Sequence, residues 1–143
     1  MNREKDIEQL VNQAIEGTEL FIVEIKMTQN RISVFLDKMD GVTIEECVRV
    51  HKFLVSELRE DTIFETHNFE VSSPGMDQPL RVLQQYKKRV GRELNVITAD
   101  GTQHTGVLVG ANDNGIALKE KVNKEEKEEH YSFDNIKQAK IIL

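Results

Sequence analysis

Residues 70–80 have the sequence EVSSPGMDQPL, and this stretch divides the chain into two parts. Pro74 followed by Gly75 suits the central positions of a type II turn, where the second residue needs a positive φ angle. Pro79 holds Gln78 out of the helical region and is itself suited to open a helix. The stretch lacks the Gly/Ser composition of a flexible linker. We therefore expect a stiff, structured connector between two small domains.

The residues before the connector begin with a helix and a hairpin. Apolar side chains at helical spacing predict a helix over residues 3–16, which ends at Gly17. β-Branched and aromatic residues predict strands over 19–27 and 31–38, with a turn at 28–30.

A second helix and a third strand complete this part of the chain. Thr43 with Glu46 three residues later forms a capping box, which predicts a helix that runs to about Glu60. The face that we expect to be buried carries Ile44, Cys47, Val48, His51, Val55 and Leu58. A strand near 68–72 should lie parallel to one of the first two, because it follows a helical crossover. The predicted order is α-β-β-α-β.

The chain after the connector predicts a short helix and then only strands. Leu80, Leu83, Tyr86 and Val90 have helical spacing, and Gly91 follows them. The expected strands cover 94–98, 105–110, 116–119, 131–133 and 136–143. The charged segment 119–130 between them should be a solvated hairpin end. Five short strands predict a small closed barrel, because closure removes exposed edges. The overall fold class is α+β, with domains at 1–80 and 93–143 and a helical connector at 81–92.

Composition limits the cellular setting. The chain has 143 residues, of which 38% are apolar and 31% charged, so it can form a core and stay in solution. No apolar run is long enough for a membrane span, and the charged start lacks the apolar segment of a secretory signal. Cys47 is the single cysteine and cannot form an internal disulfide. We expect a cytoplasmic protein, monomeric by default and without membrane contact.

The net charge of −6 is distributed unevenly. Residues 1–80 hold twice as many acidic as basic side chains, and residues 93–143 are also acidic. The segment between them has no acidic residue and carries the cations Arg81, Lys87, Lys88, Arg89 and Arg92. This segment is therefore the expected contact with an anionic partner.

The sequence gives little support to an enzyme. Cys47 and His51 lie four residues apart on the second helix, which is the spacing of a nucleophile and base. They lie on the apolar face, however, where a free cysteine acts as a small hydrophobe, and no third orienting group is apparent. No Cys/His spacing resembles a zinc site, and no phosphate-binding P-loop occurs. We expect no catalysis, no metal and no cofactor.

The connector also resembles the signature of the ribosome maturation factor RimP family, in which a strand leads into Ser-Ser-Pro-Gly, a bulky apolar residue, Asp, Arg, Pro and Leu. The segments 40–43, 91–93 and 105–108 are similar to other parts of that family, so the resemblance covers nearly the whole chain. One position departs from it: Gln78 stands where the family usually has Arg. An ionic contact at this position would be weakened, and Arg81 is a possible substitute.

The resemblance implies an α/β domain followed by an SH3-like or Sm-like barrel. It also implies binding to the immature small ribosomal subunit, with contacts to a ribosomal protein near the decoding centre and to rRNA. The family residues that carry over to this surface are Ser72, Ser73, Pro74, Gly75, Asp77, Pro79 and Leu80.

Alternatives remain open for the turn, for the cations and for the function of the chain. The Ser-Ser-Pro-Gly turn either sets the architecture or contacts a partner. The cations either complement a helix end or meet rRNA phosphates. The chain itself could be a free-standing RNA-binding or RNA-chaperone module, although it has no G-x-x-G clamp of a KH domain and only 6% aromatic residues. Besides an assembly factor and an RNA-binding module, the third class of function is an enzyme, which rests only on Cys47 with His51 and on the acidic N-terminal domain.

Overall fold

The computed structural model describes residues 3–143. By its internal contacts the chain divides into two compact units, Met1–Pro74 and Gly75–Leu143. The division falls within the predicted turn. The three-part division at residues 80 and 92 stays a prediction.

The first unit contains a three-stranded sheet in the order β1-β2-β3. Strand β1 (Phe21–Met27) and strand β2 (Arg31–Asp37) form the predicted antiparallel hairpin. Strand β3 (Asn68–Ser72) pairs with β2 in parallel, as the crossover argument predicts. The central strand contributes three fully buried residues to the core: Ile32, Val34 and Leu36.

Helices α1 (Arg3–Ile15) and α2 (Ile44–Glu57) supply the rest of this core. The capping box is confirmed: the Thr43 hydroxyl accepts from the Glu46 amide at 3.1 Å, and the Glu46 carboxylate accepts from the Thr43 amide at 2.9 Å. A short helix that was not predicted, α3 (Ile63–Thr66), precedes β3. The helical residues buried in the core are Ile7, Val11, Ile15, Val50, Leu54, Leu58 and Ile63.

The buried face of α2 differs from the predicted one by a rotation of part of a turn about the helix axis. Cys47 is buried as expected, but Val50 and Leu54 are buried beside it. Ile44 is 83% exposed, Val48 44% and Val55 39%. This helix carries apolar residues on two adjacent faces, and the sheet covers only one of them. The periodicity alone does not distinguish the two faces.

The second unit contains one helix and five strands. They are α4 (Leu83–Lys88), β4 (Glu93–Thr98), β5 (Gln103–Asn112), β6 (Gly115–Val122), β7 (Glu125–Ser132) and β8 (Ile136–Ile141). The strands form an antiparallel sheet in the order β7-β6-β5-β4-β8. The closed barrel is not confirmed, because β7 and β8 are the two edges of the hydrogen-bonded sheet within residues 3–143.

Strand β7 corrects the prediction for the charged segment. The expected strand was near 131–133, whereas β7 begins at Glu125 and pairs with β6 along its whole length. The turn between them holds Asn123 at φ 53° and Lys124 at φ 70°. Two consecutive positive φ angles are the geometry of a type I′ hairpin turn, which continues the twist of the strands. The charged excursion is therefore a regular two-stranded hairpin.

The core of the second unit includes the end of the connector. The strands contribute Leu94, Val96, Leu108, Ile116, Leu118, Ala139 and Ile141. Leu80, 9% exposed, and Tyr86, 3% exposed, pack into the same cluster. Residues 80–86 are thus held by apolar packing and belong to the body of this unit.

Candidate partner-binding surface

The Ser-Pro-Gly turn differs in detail from the prediction. Ser72 ends β3 opposite Phe35, and Ser73 is exposed. Gly75 is not among the residues with positive φ, so the type II geometry expected there is wrong. Instead, the Gln78 amide donates to the Gly75 carbonyl at 3.0 Å. A Cβ at Gly75 would lie 2.6 Å from the carboxylate of Asp77, an exposed side chain that could move aside.

The segment around Leu80 lies along the edge strand β8. The Leu80 amide donates to the Ala139 carbonyl at 2.8 Å. Pro79 does not open a helix, in contrast to the prediction, because α4 begins only at Leu83. The intervening residues are extended: the backbone of Val82 has φ −124° and ψ 155°. The backbone at Leu80 is hydrogen-bonded to the edge of β8, and the helix therefore starts only after this contact.

Gln85 fixes the start of α4, a role that sequence reasoning missed. Its side chain is buried, and its Oε1 atom accepts from the amides of Arg81 at 2.6 Å and Val82 at 3.2 Å. Free amides at the start of a helix need acceptors, and glutamine at the third position can supply one. Its place three residues after Val82 is the signal that could have revealed it.

A cavity of about 510 Å³ opens on this side of the second unit. Three of the predicted site residues, Pro79, Leu80 and Arg81, line it. Tyr86 and Phe133 form its aromatic wall, with ring centroids 5.2 Å apart. The other lining residues are Leu83, Asp113, Ile136, Lys137, Gln138 and Ala139. Phe133, Asp113 and Lys137 were not singled out in the sequence, because they are far from the connector in the chain.

The basic residues in the last turn of α4 and just after it form a separate surface. Lys87 and Arg92 are exposed, and Lys88 and Arg89 are half-buried. The Gly91 amide donates to the Leu108 carbonyl at 2.7 Å, and the Leu108 amide donates to the Arg92 carbonyl at 2.9 Å. These bonds hold the backbone of the basic residues against β5. Of the five predicted cations, only Arg81 lines the cavity.

Burial controls the protonation of two candidate groups. Burial raises the pKa of Tyr86 to about 12, so this phenol is neutral at physiological pH. Burial, followed by the charge of Glu46, raises the pKa of Cys47. The thiolate, which is the reactive form, is therefore disfavoured. Within residues 3–143, no group of three or more His, Cys, Asp and Glu side chains is arranged to hold a metal ion, and no helix is long and apolar enough to cross a membrane.

Comparison with known proteins places the chain in a family. Residues 7–77 match the model of the RimP N-terminal domain. A ribosome maturation factor RimP from Cytophaga hutchinsonii is 35% identical, over 90% of this chain and 88% of its own length. The chain belongs to the RimP family. A RimP from Porphyromonas gingivalis is 33% identical, over 80% of this chain and 75% of its own length.

Membership in the RimP family confirms the resemblance carried by the connector. The match to the N-terminal model ends at Asp77, inside the Ser-Ser-Pro-Gly-Met-Asp motif. The relative from Cytophaga hutchinsonii extends the similarity into the second unit. The RimP family consists of ribosome maturation factors, so the chain has a role in ribosome biogenesis.

Proposed function

We propose that this chain is a non-catalytic, cytoplasmic assembly factor that binds the immature small ribosomal subunit as a monomer. It would contact a ribosomal protein near the decoding centre and the adjacent rRNA. It would hold them in place without catalysing a covalent reaction. The proposal includes an SH3-like or Sm-like assignment of the second unit. The observation that carries it is the presence, on that unit, of a cavity with an aromatic wall at Tyr86 and Phe133 together with a row of cations.

The cavity suits a protein segment. Ala139 directs its carbonyl away from β4, to Leu80, and alternate residues of a strand face the same edge. The backbone groups of Ile141, which is in continuous register with Ala139, therefore also point away from β4. An extended peptide could bind this edge and place an apolar side chain against Tyr86 and Phe133, as in strand addition to other sheets.

The cations suit the phosphates of rRNA. The six residues 87–92 include four cations and no acidic residue; the cations are Lys87, Lys88, Arg89 and Arg92. Each cation that neutralises a phosphate releases a counterion, so the affinity falls as salt concentration rises. Affinity from the cavity should depend much less on salt.

Co-sedimentation with immature and mature small subunits over a salt series tests the proposal. The chain should bind immature particles preferentially. Lys87→Glu with Arg92→Glu should lower the affinity and flatten its dependence on salt. The control is Lys124→Glu with Lys127→Glu, which makes the same charge change on the β6–β7 hairpin and should have little effect.

Two outcomes would contradict the proposal. Equal loss in both double variants would mean that net charge, and no particular surface, drives binding. Tight binding of a short RNA without any ribosomal protein would favour the free-standing RNA-binding module, for which the row of cations is the supporting feature.

A further inference from the structure

The outer face of α2 carries apolar residues that the core does not use. Ile44, Val48 and Val55 are all exposed and lie within about 40° of one another around a helix of 3.6 residues per turn. His51, half-buried, lies between Val48 and Val55 on the same line. We call these four residues the α2 stripe. It is about 16 Å long at 1.5 Å per residue, or roughly three helical turns.

Three cations lie beside the α2 stripe on its solvent side. Arg49 and Lys52 are exposed on α2, and Arg59 is exposed just after it. None of the three forms an ion pair with an acidic group of residues 3–143. Three other cations of the first unit are paired: Arg3 with Asp61 at 2.8 Å, Arg31 with Glu70 at 3.6 Å and Lys38 with Glu46 at 3.2 Å.

A group of cations is unusual in the first unit, because residues 1–80 hold twice as many acidic as basic side chains. Two exposed carboxylates, Glu45 on α2 and Glu60 next to Arg59, accompany these three cations. An otherwise acidic unit thus presents an apolar stripe with a mainly basic border. Residues 44, 48, 51 and 55 alternate in steps of four and three, which is the spacing of the seam by which one helix packs against another in a coiled coil.

We propose that the α2 stripe is a docking site for an amphipathic helix of a protein partner, with acidic residues flanking its apolar face. The apolar residues of that helix would cover Ile44, Val48 and Val55. Its acidic residues would meet Arg49, Lys52 and Arg59. This surface is on the first unit and is distinct from the cavity and cations of the second.

Two other occupants fit less well. In a second copy of this chain, the α2 helix would bring its own Arg49 and Lys52 against the same residues, and like charges repel. RNA phosphates would satisfy the cations but would leave the apolar stripe exposed to water. The combination of stripe and cations favours an acidic protein helix.

Binding of two designed peptides to the full chain tests this inference by fluorescence anisotropy. Both peptides are stapled helices with leucine at four positions spaced as in the α2 stripe. One has glutamate at the flanking positions and the other has lysine. We expect the glutamate peptide to bind about tenfold more tightly, because only its flanks complement the cations.

Substitutions on exposed positions separate the two contributions without disturbing the core. Arg49→Glu with Lys52→Glu should reverse the preference between the peptides. Ile44→Ser with Val55→Ser should weaken binding of both peptides by about tenfold. Lys26→Glu, an exposed cation on β1, serves as the control and should change neither affinity. Circular dichroism would verify that each variant is folded.

Three results would overturn the inference. Equal affinity for the two peptides would show that the cations play no part. Concentration-dependent dimerisation of the unmodified chain, abolished by Val48→Glu, would assign the α2 stripe to a second copy. Binding of a single-stranded RNA oligonucleotide that is lost in the Arg49→Glu/Lys52→Glu variant but kept in the Ile44→Ser/Val55→Ser variant would assign the face to RNA.

Discussion

The two edge strands of the five-stranded sheet are protected in different ways. Every residue of β7 except Tyr131 is exposed, and most of them are charged. Charges of β6 and β7 face each other with opposite sign, as in Lys119 with Glu128 and Lys121 with Glu126. At the other edge, β8 receives a hydrogen bond from Leu80 and borders the cavity beside Tyr86.

This contrast indicates which edge is available to a partner. A charged edge strand discourages the addition of another strand, because the new strand would have to desolvate or displace those charges. The charges of β7 are also satisfied largely within its own hairpin. The edge of β8 instead combines outward-facing backbone groups with apolar and aromatic side chains, which is what an extended peptide needs.

The largest expected effect is the loss of the aromatic wall at the β8 edge. Tyr86→Ala should lower the free energy of unfolding of the second unit by roughly 3–5 kcal/mol, because it empties a site that is only 3% exposed. The control is Val122→Ala at the end of β6, where it pairs with Glu125 of the edge strand β7. Val122 is 52% exposed, so its truncation should change stability by less than about 0.5 kcal/mol. Urea unfolding measures both, and similar losses would refute the contrast between the edges.

A glycine holds β7 close to β6. A Cβ at Gly115 would lie 2.0 Å from the Tyr131 carbonyl oxygen and 2.9 Å from the Ser132 Cα atom. Gly115→Ala should therefore cost about 1–3 kcal/mol, since backbone must move to make room. At Gly110, by comparison, a Cβ would meet nothing within 4 Å. Gly110→Ala should be nearly neutral in thermal unfolding, and an equal cost at both positions would contradict the steric explanation.

The pKa of Tyr86 predicts a loss of stability in alkali. Burial raises this pKa from 10.0 to about 12. Between these pH values the unfolded chain has lost the phenolic proton and the folded chain still holds it, so stability falls as the pH rises. Below pH 10 the contribution is fully present.

Tyr86→Phe tests this prediction because it removes the titrating group and keeps the ring. Relative to the variant, the unmodified chain should lose roughly 1–2 kcal/mol between pH 10 and pH 12. Urea unfolding at several pH values measures the difference, which should be constant from pH 7 to pH 9. A difference that stays constant to pH 12 would mean that the phenol titrates equally in both states.

The smallest expected effect lies in the charges of the β7 edge. Lys119 Nζ lies 3.2 Å from Glu126 Oε2, and both side chains are about half exposed. Lys119→Glu should cost roughly 0.2–1 kcal/mol, as cross-strand ion pairs usually contribute. Adding Glu126→Lys restores opposite charges across this diagonal pair, but it also places like charges opposite Glu128 and Lys121, so only part of the loss should be recovered. A double-mutant cycle measures the coupling, and strictly additive effects would show that the pair contributes nothing.

Features that depend on neighbours in the chain were predictable. Thr43 and Glu46 cap α2 because both lie within one turn of the helix, and Ile32, Val34 and Leu36 face the core because a strand alternates its sides. The cation-rich segment is likewise visible in the sequence. Its attachment to β5 through Leu108 was not visible, because that contact joins residues far apart in the chain.

Part of the candidate cavity was predictable for the same reason. Pro79, Leu80 and Arg81 belong to the connector motif and the residue after it, whereas Phe133 and Lys137 reach the cavity only because β8 pairs with β4. Strand β7 was misplaced because nearly all of its residues are exposed, so it lacks the alternation that marks a half-buried strand. Its position follows from pairing with β6, which local sequence does not encode.

The sequence by itself determined the family, the α-β-β-α-β order of the first unit, the start of α2 and the separation of charge along the chain. These follow from local hydrogen bonds, residue periodicity and composition. Only the tertiary structure decided which of two apolar faces of α2 is buried, where α4 begins and that the second sheet stays open at β7 and β8. In each of these cases two local arrangements are nearly equal in free energy, and packing against distant residues selects between them.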